Sequence, residues 1–291
     1  MENCNAITVL RDGGLVATLS SEEMSVEKMR SLMIGREISD DYYRNDWDGS
    51  FEEDVVLDIQ HVSCGALIED ISFQLHKGEI LGIGGLSDCG MHDLGKAMFG
   101  AMKLLTGKVI YKDGTIIKDP KKAIEKKIAY VSKNRDTESL ILSDTIANNI
   151  ALPSIPILEK NMFIAPGKEA VLADEQIDNM KIKCEDREQL TGQLSGGNKQ
   201  KVVFAKWLGN QSDILILDCP TRGIDIGVKA AMYQLMYRLK KEGKSIIMIS
   251  EEMPELIGLS DRILVIKDGK LSGELHREAN LKEQDVIQYM I

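Results

Sequence analysis

The chain has 291 residues, and 43% of them are hydrophobic, which is enough to bury a sizeable core. Its formal net charge of -10, with no compensating run of Lys and Arg, disfavours nucleic acid as a partner. The chain has no apolar stretch of membrane-spanning length, and its first residues do not have the composition of a secretory signal, so we expect a cytoplasmic location. The five cysteines lack CxxC spacing, which favours reduced structural thiols without a metal role: Cys4, Cys64, Cys89, Cys184 and Cys219.

The two ends of the chain resemble each other. Residues 7–15 read ITVLRDGGL and residues 263–271 read ILVIKDGKL, and both patterns predict a β-hairpin around an Asp-Gly turn. A stretch with helical spacing follows each of them, at residues 25–35 and 281–291. The offset of 256 residues (263 minus 7) indicates a tandem protein built from units of that size. Residues 1–35 are therefore predicted to be the tail of a preceding unit whose body is absent.

Residues 36–54 are rich in Asp and Glu and poor in apolar residues, which predicts a solvated acidic linker. From residue 55 to residue 291, apolar strand-like runs alternate with helical segments. Examples are EILGIGG at 79–85, ILILD at 214–218 and SIIMIS at 245–250. Asp119 followed by Pro120 is typical of a helix start. This alternation predicts an α/β fold with a mostly parallel sheet.

The segment from Gly85 to His92 follows a predicted strand and has the position of a phosphate-binding loop. A complete GxxxxGK[ST] loop supplies a Lys for the β and γ phosphate oxygens and a hydroxyl for Mg²⁺. Here Gly85 and Gly90 are present, but Met91 and His92 replace those two residues, and Asp88 adds a negative charge. A degenerate phosphate loop and an ordinary strand-to-helix turn both account for this segment alone.

A shifted register from Gly90 to Lys96 also matches GxxxxGK, followed by Ala97. It starts too far beyond the strand and still lacks the hydroxyl. We therefore expect Lys96 to be a solvated helix residue.

The segment LSGGNKQK at 194–201 precedes an apolar helical stretch. Ser195 suits a helix N-cap, and Gly196 and Gly197 allow backbone N-H groups to approach an anion. At about 20 residues before the strand ILILD, the motif is highly specific for recognition of a phosphate at a helix start.

Asp218 ends the ILILD strand, at the place where a carboxylate directed at Mg²⁺ belongs in this class of fold. Hydrolysis also needs a group that orients or deprotonates the attacking water. The next residue is Cys219, a poor substitute that is better explained as a small buried side chain.

These motifs together resemble the ATP-binding-cassette (ABC) ATPases of bacterial importers, and more narrowly the second cassette of tandem ATPases for ribose, galactose or xylose-type sugars. Further matches are SEEMPELIGLSDRI at 250–263, MIGRE at 33–37 and SKNRD at 132–136, so the resemblance covers nearly the whole chain. It implies a P-loop NTPase-type cassette at residues 55–291. Such a cassette has a mostly parallel core sheet, an antiparallel β subdomain and a helical signature subdomain at about residues 133–208.

In this family two cassettes enclose ATP head to tail, between the phosphate loop of one and the signature of the other. The resemblance places Met91 at the Lys position, His92 at the Ser or Thr position and Cys219 at the catalytic Glu position. It places Glu251 where many cassettes have a switch His, and Lys133 where an acidic or amide residue is usual. Asp218 would bind Mg²⁺ only together with a nucleotide. The chain's own site is thus expected to be hydrolytically inactive.

By contrast, the resemblance implies that Ser195, Gly196, Gly197 and Asp225 complete the ATP site of a partner cassette. The implied partners are a first cassette, membrane permease subunits and, indirectly, a periplasmic or lipid-anchored sugar-binding protein. The implied location is the inner face of the cell membrane. The alternative is a nucleotide-insensitive scaffold or regulatory module, although a scaffold has no chemical need for an intact signature.

Overall fold

The computed structural model describes residues 4–11, 14–20, 23, 25, 28–29, 32, 43–44, 46, 48–160, 163–164 and 167–291. The strands follow the predicted alternation. They are β1 Ala6–Arg11, β2 Gly14–Ser20, β3 Val55–Cys64, β4 Ile68–His76, β5 Ile80–Gly85, β6 Leu104–Tyr111, β7 Ile128–Val131, β8 Glu159–Lys160, β9 Phe163–Ile164, β10 Ile214–Asp218, β11 Ser245–Ile249, β12 Arg262–Lys267 and β13 Lys270–His276.

The helices lie between these strands. They are α1 Met91–Met98, α2 Pro120–Glu125, α3 Ile146–Ala151, α4 Ile155–Leu158, α5 Lys168–Met180, α6 Gly196–Gly209, α7 Ile226–Lys241, α8 Met253–Leu259 and α9 Glu283–Ile287. A π-helical turn at Arg135–Ser139 and short 3₁₀ turns at Leu152–Ser154 and Thr191–Gln193 complete the set. The predicted start of α2 is confirmed, because the Asp119 carboxylate accepts a hydrogen bond from the Lys122 N-H at 2.8 Å.

The core is a six-stranded sheet in the order β13-β12-β5-β11-β10-β7. All neighbours pair in parallel except β12 and β13, which form an antiparallel hairpin. Every residue of β5, β10 and β11 is buried, as expected for parallel strands covered on both faces. The predicted mostly parallel sheet is confirmed.

Two further regions flank the core sheet. Strands β4, β3 and β6 form a separate antiparallel sheet. Helices α3, α5 and α6 pack against one another, as expected for a helical subdomain that carries the signature motif. The antiparallel sheet and the helical region therefore agree with the cassette architecture that the resemblance implied.

The similarity between the two ends of the chain is also present in their backbone hydrogen bonding. Strands β1 and β2 pair from Ala6 with Ser20, and strands β12 and β13 pair from Arg262 with His276, so both partners shift by 256 residues (262 minus 6 and 276 minus 20). Each hairpin has its register shift at the same place, between Val9 and Leu10 and between Val265 and Ile266. The two predicted hairpins are confirmed, whereas the helical stretch predicted at 25–35 falls mostly outside the described residues.

The expectation that residues 36–54 are solvated is wrong where the structure describes them around Arg44. This side chain is only 4% exposed, and it donates hydrogen bonds to the Asp261 carboxylate at 2.5 Å and to the Leu259 carbonyl at 3.0 Å. The composition of the segment is acidic, but Arg44 finds a buried carboxylate to pair with. None of the helices in the described part of the chain is long and apolar enough to cross a membrane.

Lys206 on α6 is a buried cation whose titration should be visible in the stability. It is 9% exposed, its ammonium donates to the Ser139 carbonyl at 2.8 Å, and burial lowers its pKa to about 8. Between that value and the ordinary lysine pKa of about 10.4, the unfolded chain holds more protons than the folded chain. The free energy of unfolding therefore gains a contribution from Lys206 as the pH rises through this window.

We predict that, from pH 8 to pH 10, the free energy of unfolding of the wild type rises by about 2 kcal/mol relative to Lys206→Met. Urea denaturation of both proteins at several pH values measures this difference. Lys201→Met is the control on the same helix. Burial lowers the pKa of Lys201 as well, but Lys201 is less buried than Lys206, so the pH dependence should differ less from the wild type in this variant. Parallel pH profiles for wild type and Lys206→Met would contradict the prediction.

Candidate functional site

Four chemically active side chains meet at one edge of the core sheet. Asp218 is the last residue of β10, Lys133 and Glu251 lie two residues past the ends of β7 and β11, and His92 lies in the first turn of α1, which follows β5. Because the carboxyl ends of parallel strands share one edge, segments far apart in sequence converge here. The structure thus brings together four of the positions singled out in the sequence.

The loop between β5 and α1 has the close backbone packing of a phosphate loop. A Cβ atom on Gly85 would lie 2.4 Å from the Ile266 carbonyl oxygen and from the Cys89 sulfur, so only glycine fits there. Gly90 has φ of 93° and precedes the first residue of α1. Asp88 is exposed in the turn between them. Both glycines of this loop therefore have a structural reason in its backbone.

Met91, where the resemblance implies a phosphate-binding Lys, is fully buried in the hydrophobic core. It can supply no charge to an anion above the loop. The shifted register is excluded, because Gly95 and Lys96 lie inside α1 and the Lys96 ammonium pairs with Glu138 at 2.9 Å. Lys96 is a helix residue as predicted, but its side chain is half-buried and ion-paired, not solvated.

His92 is hydrogen-bonded directly to Asp218. The distance from Nδ1 to the carboxylate Oδ1 is 2.7 Å, and the Tyr130 hydroxyl donates to the other oxygen, Oδ2, at 3.0 Å. Burial by itself would lower the pKa of His92, but the hydrogen bond and charge of Asp218 outweigh it and hold this pKa above its ordinary value. Both oxygens of the 1% exposed Asp218 carboxylate are thus engaged by protein groups.

Lys133 reaches into the same cluster from the end of β7. Its ammonium lies 2.7 Å from Glu251 Oε1 and 3.0 Å from His92 Nε2, and Glu251 Oε1 is itself 3.3 Å from His92 Nε2. The hydrogen bond from Lys133 holds the pKa of Glu251 below its usual range. An ammonium from the segment after β7 therefore lies beside the start of α1.

Cys219 has no means of activating water. It is 8% exposed, it adopts φ of 46°, and its N-H donates to the Ile249 carbonyl at 2.9 Å. Burial, reinforced by the charges of Asp218 and Glu251, raises the pKa of its thiol to about 12. The thiol is therefore neutral and cannot act as a general base. It also lacks the carboxylate oxygens that could orient a water molecule.

The residues at this edge do not fit Mg²⁺. This ion prefers oxygen ligands in near-octahedral geometry and retains several waters. Residue 92, where the resemblance implies a hydroxyl, is an imidazole. The Asp218 carboxylate is already bonded to His92 and Tyr130, and the adjacent side chain is a thiol. No step that depends on Mg²⁺ follows from this arrangement.

The signature segment, residues 194–201, differs from the cluster around His92 because its first helical turn begins at an exposed residue. Ser195 is exposed at the N-cap of the 14-residue helix α6, and its Oγ accepts from the Asn198 N-H at 3.4 Å. A Cβ atom on Gly197 would lie 2.9 Å from Val228 and 3.5 Å from the Asp225 carboxylate, so the signature packs closely on the turn before α7. Ser195, Gly196, Gly197 and Asp225 are therefore brought together, at a site separate from His92.

Arg135 also supports the region around the signature, although no motif in the sequence singled it out. Its guanidinium donates to the Arg222 carbonyl at 2.9 Å and to the Gly223 carbonyl at 3.3 Å, and it lies 3.0 Å from where a Cβ of Gly196 would be. It thereby ties the loop after β7 to the turn that flanks the signature. The sequence showed a basic residue in SKNRD but not its partners, which are backbone carbonyls.

Comparison with known proteins gives the family. Residues 68–222 match the family described as ABC transporter. The chain belongs to this family. The resemblance inferred from the motifs is confirmed, and the chain is an ATP-binding cassette in sequence and in fold.

The cassette is similar to two bacterial proteins named Ribose import ATP-binding protein RbsA. It is 40% identical to the one from Bacillus subtilis over 278 residues, which cover 95% of this chain and 56% of that protein. It is 38% identical to the one from Clostridium tetani over 291 residues, which cover 99% of this chain and 57% of that protein. The chain thus spans little more than half the length of these relatives.

Crystallised cassettes share the fold. A dimeric ATP-binding cassette in a post-hydrolysis state with ADP and Pi superimposes with a TM-score of 0.65 at 21% identity, covering 77% of this chain and 99% of that one. A nucleotide-free cassette gives a TM-score of 0.66 at 20% identity, covering 80% and 95%. At this identity the comparison establishes the architecture alone.

We predict that the purified cassette by itself does not hydrolyse ATP above background. Charge neutralisation, metal anchoring and water activation are lost together at Met91, His92 and Cys219. Cys219→Glu alone should remain inactive, because the two phosphate-loop losses persist. Phosphate release with and without Mg²⁺ is the measurement, and turnover that Asp218→Asn abolishes would show the site to be active.

Proposed function

We propose that this chain is an energy-coupling subunit of an importer for a simple sugar of the ribose class. In this proposal it acts at the cytoplasmic face of the cell membrane with a first cassette and permease subunits, and indirectly with a periplasmic or lipid-anchored sugar-binding protein. The proposal is supported by the ribose-import names of the relatives, together with the family membership. Sugar specificity would lie in the binding protein and permease.

The observation that carries the proposal is the contrast between the two phosphate-facing surfaces. The chain's own loop is bordered by the Lys133 ammonium and by His92, which is bonded to Asp218. The signature remains exposed at Ser195, and α6 extends from it for 14 residues. A chain with these features can contribute to ATP hydrolysis only through a nucleotide held by another cassette.

The contribution of the signature is electrostatic. The first turn of a helix carries unpaired backbone N-H groups and the positive end of the helix dipole, both of which attract phosphate oxygens. The Ser195 hydroxyl adds a donor, and Gly196 leaves the backbone accessible. In the proposed complex, ATP and its Mg²⁺ are bound by the partner's phosphate loop, and this chain stabilises the γ-phosphate in the transition state.

We also propose that residues 1–35 are the tail of a preceding cassette, joined by the acidic segment 36–54 to the cassette at 55–291. Support comes from the equal register and equal bulge position of the two hairpins at an offset of 256 residues. The alignment to the Clostridium tetani relative covers 99% of this chain, so this segment has a counterpart there. Tandem cassettes in one polypeptide would give that arrangement.

The decisive test changes the signature in a transporter reconstituted from this chain, its first cassette and the permease. Ser195→Arg places a bulky cation at the exposed N-cap, against the partner's nucleotide. Removing one preorganised transition-state donor typically costs about 10² to 10³-fold in rate. We expect losses of at least that order in ATPase activity and in uptake.

A matched control separates this effect from loss of helix capping. Thr145 caps α3 in the same way, with its Oγ1 accepting from the Asn148 N-H at 3.1 Å, so Thr145→Ala and Ser195→Ala should each cost about 1 kcal/mol of stability. Only the Ser195 variants should lose activity. If Ser195→Arg is as active as Thr145→Ala, the chain is a scaffold and not part of the partner's site.

A further inference from the structure

Three different metal-ligating side chains lie together at the edge of the sheet. A ring nitrogen of His92, a carboxylate oxygen of Asp218 and the sulfur of Cys219 all lie within 4.8 Å of one another. They come from the start of α1 and from the end of β10, so the fold brings them together from two separate segments. The burial of Asp218 and Cys219 shields two of the three donors from bulk water.

These three ligands favour a different class of metal ion from the Mg²⁺ that nucleotide sites use. Imidazole nitrogen, carboxylate oxygen and thiolate sulfur are the ligands of Zn²⁺, at bond lengths of about 2.0 to 2.3 Å. Mg²⁺, by contrast, requires oxygen ligands, and soft sulfur disfavours it. Three protein ligands with an open fourth position form a recurrent zinc arrangement. We propose that His92, Asp218 and Cys219 bind a borderline transition-metal ion, Zn²⁺ above all, at the end of the degenerate phosphate loop.

The groups around His92 support this assignment. If Nδ1, which lies 2.7 Å from Asp218, is the ligating nitrogen, then Nε2-H is left to donate to Glu251 at 3.3 Å. A metal-bound histidine commonly donates its second ring N-H to a carboxylate, which fixes the orientation of the ring. Glu251 is in turn held by Lys133 at 2.7 Å. The carboxylate for such an outer layer is therefore already within reach of Nε2.

Without a metal ion, the same residues form a hydrogen-bonded arrangement that competes with metal binding. A His92 tautomer with its proton on Nδ1 donates to Asp218 and accepts from the Lys133 ammonium at 3.0 Å. Binding of Zn²⁺ displaces the Nδ1 proton to Nε2 and releases the Cys219 thiol proton to solvent. The Lys133 ammonium cannot donate to the protonated Nε2, so it moves away from His92 and keeps its contact with Glu251. The Tyr130 hydroxyl stays on Asp218 Oδ2, which leaves Oδ1 for the metal.

Co²⁺ is the direct probe, because coordination by a thiolate produces a near-ultraviolet charge-transfer band. The full chain is treated with a chelator, titrated with Co²⁺ and then with Zn²⁺, with and without a large excess of Mg²⁺. We expect one Co²⁺ per chain, the thiolate band, displacement of Co²⁺ by Zn²⁺ and no competition from Mg²⁺. Absence of the thiolate band, or competition by Mg²⁺, overturns the proposal.

Variants locate the ion. Cys219→Ser should abolish the band, His92→Gln should weaken Zn²⁺ binding at least about tenfold, and Glu251→Gln should weaken it by about 10 to 100-fold. Cys64→Ser, which changes another buried thiol outside the cluster, should bind like the wild type. Circular dichroism of the metal-free variants checks folding. If Cys219→Ser does not fold, His92→Gln still tests the site, because His92 is the one ligand of the three that is partly exposed. Undiminished binding by His92→Gln and Glu251→Gln would place the ion elsewhere, with no bearing on the signature's role.

Discussion

The contact between His92 and Asp218 is the constraint on which the rest of this surface depends. A carboxylate that is 1% exposed at the end of β10 must be paired or hydrogen-bonded, because an isolated buried charge is very costly. Here His92 and Tyr130 satisfy it at 2.7 and 3.0 Å. Once His92 is fixed, its second nitrogen lies between Glu251 and Lys133. His92 therefore joins Asp218, Glu251 and Lys133 in one hydrogen-bonded network across the sheet edge.

That network gives a physical basis for separating the two functional surfaces. The cluster around His92 connects α1, β7, β10 and β11, whereas the signature depends on α6, the turn before α7 and Arg135. The two sets have no residue in common, but Lys133 and Arg135 belong to the same short segment after β7. This segment is therefore the structural connection between the cluster around His92 and the signature.

Much of the fold could be predicted from the sequence, and the contacts that were not predicted have identifiable physical causes. The strand ILILD, the helix start at Asp119 and the hairpin around Asp268 and Gly269 follow from local patterns that tertiary packing does not override. The burial of Arg44 was missed because its partner Asp261 lies 217 residues away. The contact of Lys133 with His92 depends on the order of strands in the sheet. Strand order cannot be obtained from the residues alone without the family comparison.

The packing of Met91 determines what a Lys at this position would meet. The Met91 side chain is fully buried among core residues, so a Lys there would bury an ammonium unless the side chain turned outward. A hydroxyl at residue 92 would in addition deprive Asp218 and Glu251 of their imidazole partner. If the proposed interpretation of this loop is correct, a hydrolytic site therefore needs changes at residues 91, 92 and 219 together, because each single change meets an environment formed by the other present residues.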